Sequence, residues 1–312
     1  MRPLSPLSKN QSLLLWNNAS YSGINAQVFS RRLGSHVMID YQVTDSAEQV
    51  TPALLLEVLR GAADEAKAHQ LLSTYCSDSS GNISAIVVIQ ESHLSLHYCF
   101  TTKRLIMDCF TCGEIDEKAA ELYIANYKSL ALKRVSHKKR FVRGLQKQDN
   151  EFLCGVGLLS KKSQPGVFNK PSLSAESTAR HAVLELFHCD SALIESPVQL
   201  RDIFLEALYF ARVLDGEELS RISLAAFKES CFTHFHRFQP QGLSIVVMGP
   251  GFHVTTHTWP EYGYAPVDIF SRQSLIDVDK AAGEIAKRLS SMPAAMAHVP
   301  RGQLDKLLLS PH

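Results

Sequence analysis

The chain carries much the same text twice, and that repetition restricts its fold more than any other feature. At a constant offset of 160 residues, Ser84 pairs with Ser244, Val87 with Val247, His93 with His253, His97 with His257, Asp108 with Asp268 and Phe110 with Phe270. Upstream, "LGSHVMIDY" (Leu33–Tyr41) echoes "ARHAVLELF" (Ala179–Phe187), with His36 answering His181 at an offset of 145. The change of offset implies an insertion in the second copy, within Phe204–Lys228. Each copy opens with an apolar strand (Val37–Tyr41; Ala182–Phe187), followed by a helix with apolar residues at helical spacing (Ala53–His69; Val198–Leu214). Short strands follow, with period-two alternation in "HLSLHYC" and "HVTTHTW", and a second helix closes the unit (Glu117–Ser129; Val278–Leu289). The pattern predicts an α+β fold in which two mainly antiparallel sheets each carry helices on one face. Two copies are too few for a solenoid, so a face-to-face pseudo-twofold pair is expected. The chain divides into an N-terminal extension (1–30), a first repeat (31–143), a Lys/Ser/Gly/Pro-rich linker (144–178), a second repeat (179–302) and a tail (303–312).

Charge and hydropathy remove several function classes. With 20% charged residues and a formal net charge of +1, nothing favours nucleic acid or a membrane surface. The basic run "KRVSHKKR" (Lys133–Arg140) reads as a solvated face. No apolar run approaches the roughly 20 residues needed to span a bilayer. "SLLLW" (Ser12–Trp16) is too short for a signal-peptide core. Seven cysteines without framework spacing suit a reducing compartment, so a cytoplasmic location is expected.

The chemistry concentrates where the repeats diverge. "QESHLSLH" (Gln90–His97) stands against "PGFHVTTH" (Pro250–His257): both histidines are kept and Ser92 is replaced by Phe252. A serine hydroxyl is a poor nucleophile unless a base or strain activates it. No G-x-S-x-G elbow is present, which argues against an ordinary serine hydrolase. A serine at a strained strand end can instead attack its own preceding carbonyl. The resulting ester can undergo β-elimination, which breaks the chain and leaves a pyruvoyl group, an electron sink that does the work of pyridoxal phosphate. Cys109-x-x-Cys112 lacks a second pair for zinc, and His234-x-His236 and His253-x3-His257 read as hydrogen-bonded strand residues rather than ligands. "GPG" (Gly249–Gly251) marks a turn, not a phosphate loop.

"GNISAIVVIQESHLSLH" with "DCFTCG" in the first copy, and "THFHRFQPQGLSIVV" followed by "HVTTHTWPEYGYAPVDIF" in the second, resemble the pyruvoyl-dependent S-adenosylmethionine decarboxylase family. The chain resembles a fused tandem duplicate of the bacterial-type proenzyme, with the plan of the fused eukaryotic members: an αββα sandwich holding one pyruvoyl group. The resemblance implies self-cleavage at Glu91–Ser92, Ser92 becoming the pyruvoyl group, and Cys112 as catalytic proton donor. It implies Ser244 and His257 as the processing pair, with Ser84 and His97 as the alternative pair. It also implies substrate contacts from Phe238, Trp259, Glu261 and Leu94. The first copy keeps the serine and the cysteine but has Asp78 where the second has Phe238. The second keeps Phe238, Trp259 and Glu261 but has Phe252 and Arg272 for the serine and cysteine.

The implied activity is decarboxylation of S-adenosyl-L-methionine, which supplies the aminopropyl donor for spermidine and other polyamines. It needs neither metal nor pyridoxal phosphate, and chains 1–91 and 92–312 would stay associated, with homodimerisation left open. Two rivals remain: a pyruvoyl-dependent ornithine or arginine decarboxylase, and a non-catalytic regulatory paralogue. The aromatic and acidic residues of the second copy speak against the first, and retention of Ser92 and Cys112 against the second.

Overall fold

The computed structural model describes residues 34–136, 138–143, 145–148, 151–154, 177–213, 222–272, 275–291 and 294–302. The expected N-terminal extension and C-terminal tail lie outside the described residues. In the first repeat, β1 (Gly34–Val43) leads into α1 (Pro52–Glu65), then β2 (Gln70–Ser77), β3 (Ile83–Ile89), β4 (Ser92–Cys99), β5 (Arg104–Thr111), α2 (Glu117–Ala125), β6 (Leu132–Arg134) and β7 (Lys139–Arg143). A hairpin of β8 (Leu145–Gln148) and β9 (Glu151–Cys154) follows. It lies inside the stretch expected to be plain linker. The second repeat comprises β10 (Ala179–Leu186), α3 (Ser191–Glu195), α4 (Pro197–Phe210), α5 (Leu224–Ser230), β11 (Phe232–Arg237), β12 (Leu243–Gly249), β13 (Phe252–His257), β14 (Ala265–Arg272), α6 (Val278–Arg288) and β15 (Ala294–Arg301).

The two sheets have matching orders, β2-β3-β4-β5-β1-β6 with β7 also on β1, and β11-β12-β13-β14-β10-β15. The pairings are antiparallel. Local signals are duplicated too. Thr51 and Ser196 cap α1 and α4 just ahead of Pro52 and Pro197, while Asp116 and Asp277 cap α2 and α6. α1 stops at Glu65, short of the expected His69, because Lys67 turns the chain with φ 58°. The inserted residues follow α4 and include α5, whose Phe227 packs into the second core.

Strand parity sorts the side chains into two layers. In β1, Val37, Ile39 and Tyr41 join Leu55, Val58, Leu59 and Ala62 of α1 in a helix-side core. His36, Met38 and Asp40 point the other way, toward the second sheet. Between the sheets, Ile86, Val88, Val246 and Met248 form an apolar cluster, and Ile106, Ala179 and Phe270 another. The centre of this layer is polar and buried. Arg143 crosses from β7 to Glu185, also donating to the carbonyls of Leu184 (2.7 Å) and Val267 (3.4 Å). Arg301 crosses the opposite way from β15 to Asp40 (2.8 Å), and to the carbonyls of Ile39 (3.4 Å) and Met107 (2.6 Å). Each arginine therefore holds the other repeat by its acid and two backbone oxygens. Arg143→Met would take the guanidinium away from the buried Glu185, leaving the Tyr264 hydroxyl on it. Its expected cost is about 3–5 kcal/mol, read as a lower urea midpoint at unchanged m-value.

The basic run is a solvated face, as expected: Lys138 pairs with Glu121, and Arg140 with Glu117 at 2.9 Å. No helix among the described residues is long and apolar enough to cross a membrane.

Candidate active site

β3 ends at Ile89, Gln90–Glu91 make the turn, and β4 begins with Ser92 opposite Thr111 of β5. Parity along β4 sends Leu94, Leu96 and Tyr98 to the helix side and His93, Ser95 and His97 to the second sheet. Ser92 should follow Leu94. Instead its φ of 149° turns it toward the inter-sheet layer, a conformation that costs a non-glycine residue about 1–3 kcal/mol. The hydroxyl consequently sits between two imidazoles, 2.5 Å from His257 Nε2 and 3.3 Å from His93 Nδ1.

The carbonyl that this hydroxyl would attack is held from the other side. Glu91 O accepts from the backbone N–H of Cys112 at 2.8 Å and from its thiol at 3.0 Å. The Glu91 side chain is tied back to His69, accepting from its N–H at 3.1 Å and bonding its Nδ1 at 2.6 Å. A β-carbon on residue 113 would lie 2.5 Å from Glu91 Cγ, so the glycine of "FTCG" is what lets the cysteine approach. Burial pushes the Cys112 thiol up to about 12, so it holds its proton at neutral pH. Cys109 points into the helix-side core, so the CxxC pair does not converge.

Ser244 and His257 face each other across β12 and β13, with the hydroxyl 2.5 Å from Nδ1. Burial, then the nearby His93 and Arg143, hold His257 well below the usual histidine range and keep it neutral. Ser84 and His97 make the same pair, at 2.9 Å, around the counterpart site. There Ser84 Oγ accepts from Gly251 N–H at 3.0 Å, and His97 Nε2 meets His253 Nδ1 at 2.9 Å with no hydroxyl between them. Phe252 follows ordinary strand parity and packs into the helix-side core. Arg272 and Asp78, the residues standing in place of the cysteine and the aromatic, close on each other at 2.5 Å. A β-carbon on Gly251 would come within 2.3 Å of Arg272 Nε, so the arginine fills this second site.

Between the two sites lies a fully buried cluster of His36, His93, Asp108, His181, His253 and Asp268. Donor atoms of His36, Asp108, His181 and Asp268, and of His93, Asp108, His253 and Asp268, form groups within 4.8 Å. Arg143 and Arg301 occupy the Nδ1 atoms of His36 and His181, at 3.2 and 2.9 Å, and their Nε2 atoms meet Asp108 and Asp268. Both nitrogens of each ring are therefore engaged in hydrogen bonds, which leaves no free lone pair on either for a metal.

The other expected substrate contacts lie in two loops at the Ser244–His257 end of the second sheet. Phe238 follows β11 and meets the His236 ring edge-on at 5.1 Å. Trp259 follows β13 and bridges to Tyr264, and Glu261 accepts from Gln241 at 3.2 Å, tying the loops together. Leu94, the remaining expected contact, has its side chain fully buried in the helix-side core with Leu96, facing away from the inter-sheet layer. The sequence reading also passed over Arg143, Arg301, Glu185 and Asp40. A signal existed: Arg143-Gly144 and Arg301-Gly302 end equivalent strands.

A family model described as S-adenosylmethionine decarboxylase matches residues 35–142 and 180–302. An S-adenosylmethionine decarboxylase proenzyme of Thermoanaerobacter sp. is 32% identical over 127 residues, covering 41% of this chain and 90% of its own. One of Thermotoga petrophila is 31% identical over 140 residues, covering 44% of this chain and 96% of its own. The crystal structure of an adenosylmethionine decarboxylase from Aquifex aeolicus aligns over 44% of this chain and all of its own, with 23% identity and a TM-score of 0.31.

Proposed function

The chain belongs to the S-adenosylmethionine decarboxylase family, and from that premise we propose that it is a proenzyme which cuts itself at Glu91–Ser92 and decarboxylates S-adenosyl-L-methionine. The observation that carries this reading is the double hold on one peptide bond. Ser92 Oγ is flanked by imidazoles, and the Glu91 carbonyl already accepts from Cys112 N–H. In the scission, Oγ bonds to the Glu91 carbonyl carbon and the Glu91–Ser92 C–N bond breaks, giving an ester. Cys112 N–H stabilises the developing oxyanion, as a preorganised backbone donor does in acyl transfer. Loss of the Ser92 α-hydrogen and breakage of Cβ–Oγ then free Glu91 as a carboxylate. Water converts the remaining aminoacrylate to a pyruvoyl group, releasing ammonia. His257, oriented by Ser244, is hydrogen-bonded to Ser92 Oγ.

The residues present fit that group. It would form at the head of β4, beside the Cys112 thiol. It supplies a carbonyl that takes up the electrons released when an α-amino acid loses carbon dioxide. Cys112 Sγ holds the proton to be returned to the substrate α-carbon. Phe238 and Trp259 offer aromatic faces to adenine and the sulfonium cation, and Glu261 accepts from the ribose hydroxyls. Such a substrate suits these loops better than ornithine or arginine, which have neither ring nor ribose. The product would be the aminopropyl donor for polyamine synthesis.

Chain 1–91 would remain as a subunit, because β1 is hydrogen-bonded between β5 and β7, and β3 to β4. The test pairs intact mass under denaturing conditions with carbon dioxide release from carboxyl-labelled S-adenosylmethionine, ornithine and arginine. Two chains split at Glu91–Ser92 and release from S-adenosylmethionine alone are expected. A whole chain would overturn the processing mechanism, and release from the linear amino acids the substrate.

A further inference from the structure

The proton order around Ser92 is legible from the fixed end of its hydrogen-bond chain. Asp108 is held well below the usual carboxylate range: burial opposes ionisation, but His36, His181 and the hydrogen bonds of His36 and His93 outweigh it. A carboxylate only accepts, so at the 3.0 Å contact with Asp108 Oδ2 the donor is His93 Nε2–H. A neutral imidazole that donates from Nε2 presents Nδ1 as a lone pair. That lone pair faces Ser92 Oγ at 3.3 Å, so the hydroxyl proton points to His93. Ser92 has one proton to give. At the 2.5 Å contact, His257 Nε2–H must then donate to Ser92 Oγ, and Ser244 donates to His257 Nδ1 at 2.5 Å.

The silent copy has the same polarity with the serine taken out. Asp268 Oδ2 accepts from His253 Nε2 at 2.9 Å, and His253 Nδ1 accepts from His97 Nε2 at 2.9 Å. Ser84, which already accepts from Gly251 N–H, donates to His97 Nδ1. Where the hydroxyl is absent, the two imidazoles close on each other. Ser92 is thus inserted into a chain whose acceptor end is His93 and whose donor end is His257.

We propose that His93, oriented by Asp108, is the base for the first step of self-cleavage, while His257 donates to the same oxygen. This rests on the self-cleavage reading above. In the step, the Ser92 hydroxyl proton passes to His93 Nδ1 as Oγ bonds to the Glu91 carbonyl carbon. The C–N bond breaks, and the protonated His93 returns that proton to the departing nitrogen, leaving an ester and a free amine. Ser92, His93 and Asp108 form the serine–histidine–carboxylate arrangement of acyl-transfer sites, with the carboxylate fixing tautomer and ring orientation.

His93→Gln is the discriminating variant. Its amide reaches the Nε2 position and can still donate to Asp108, but it has no acceptor where Nδ1 was. Labelled chains made by cell-free translation are followed for scission, with hydroxylamine added to part of each sample to cut any ester. Wild type must first cut; if it does not, the self-cleavage reading has failed and not the assignment of His93. Given that, H93Q is expected to unfold at the wild-type midpoint, to cut about 100-fold more slowly, and to accumulate uncut chain that resists hydroxylamine. Scission at the wild-type rate, or accumulation of hydroxylamine-sensitive chain, would overturn the proposal, the second result by moving His93 to the elimination. Should H93Q not fold cooperatively, Asp108→Asn carries the same test. An amide in that place presents N–H to Nε2 and forces the proton onto Nδ1, so D108N should also stall before the ester, and normal cutting by it would be equally fatal.

Discussion

Ser92→Ala is expected to give one uncut chain with no decarboxylase activity. The variant removes only the oxygen that bonds to the Glu91 carbonyl carbon. The N–H of Cys112 stays on that carbonyl, and His257 and Ser244 keep their places. Polarisation of an amide does not break it without a nucleophile in contact, and among the described residues no other hydroxyl is bonded to His257 on the side of residue 92. The effect is therefore total, because no pyruvoyl group can form without scission. Ser84→Ala is the matched control. Its hydroxyl bonds Gly251 N–H and His97 in the counterpart site, so the chain should cut as wild type does. Intact mass and carbon dioxide release read both variants; two chains or turnover from S92A would sink the mechanism.

Cys112→Ala should separate the two reactions. The backbone N–H that donates to the Glu91 carbonyl oxygen, and so stabilises its developing charge, belongs to any residue at position 112, so scission should proceed. The thiol does not survive the change, and decarboxylation should fall at least about 100-fold, the usual worth of a positioned proton donor. The sign of the thiol's shift matters here. Burial raises it to about 12, so the donor form persists through the neutral and mildly alkaline range and is lost only as pH approaches that value. Any alkaline decline in rate between pH 8 and 10 must then belong to another group. Single-turnover measurements on cleaved C112A protein check this. An uncut C112A chain would assign the thiol itself to scission, and full turnover would remove it from catalysis.

The architecture was legible because duplication made each half a check on the other. The succession of strands and helices along each repeat, and the site of the insertion, follow from two offsets and from alternation in "HLSLHYC" and "HVTTHTW", whereas the strand order within each sheet does not. The same alternation would have placed Leu94 with Leu96 on the helix side, where both lie. Parity fails at Ser92, because the positive φ that reverses it is imposed by the turn and by contacts from the other repeat. Parity reasoning assumes an unstrained strand, and strain is what the site uses. Arg143 and Arg301 were hidden for a different reason. A buried arginine is explained only by partners on the opposite sheet, and no local pattern names a partner about forty residues away in one case and more than two hundred and fifty in the other.

The arginine latches cross in opposite directions but are translated as one polypeptide, and after the cut the Arg301–Asp40 latch holds chain 1–91 to chain 92–312. Ser92 and His257, which would come from different molecules in a pair of single-copy chains, are here joined covalently. Assembly of the site becomes a first-order event, independent of how much protein is present. A two-chain site loses occupancy as its subunits are diluted past their dissociation constant. This one should keep constant specific activity on dilution for as long as chain 1–91 stays bound, while each gram of protein carries half as many working centres as a symmetric pair would. Duplication has exchanged yield per mass for immunity to scarcity.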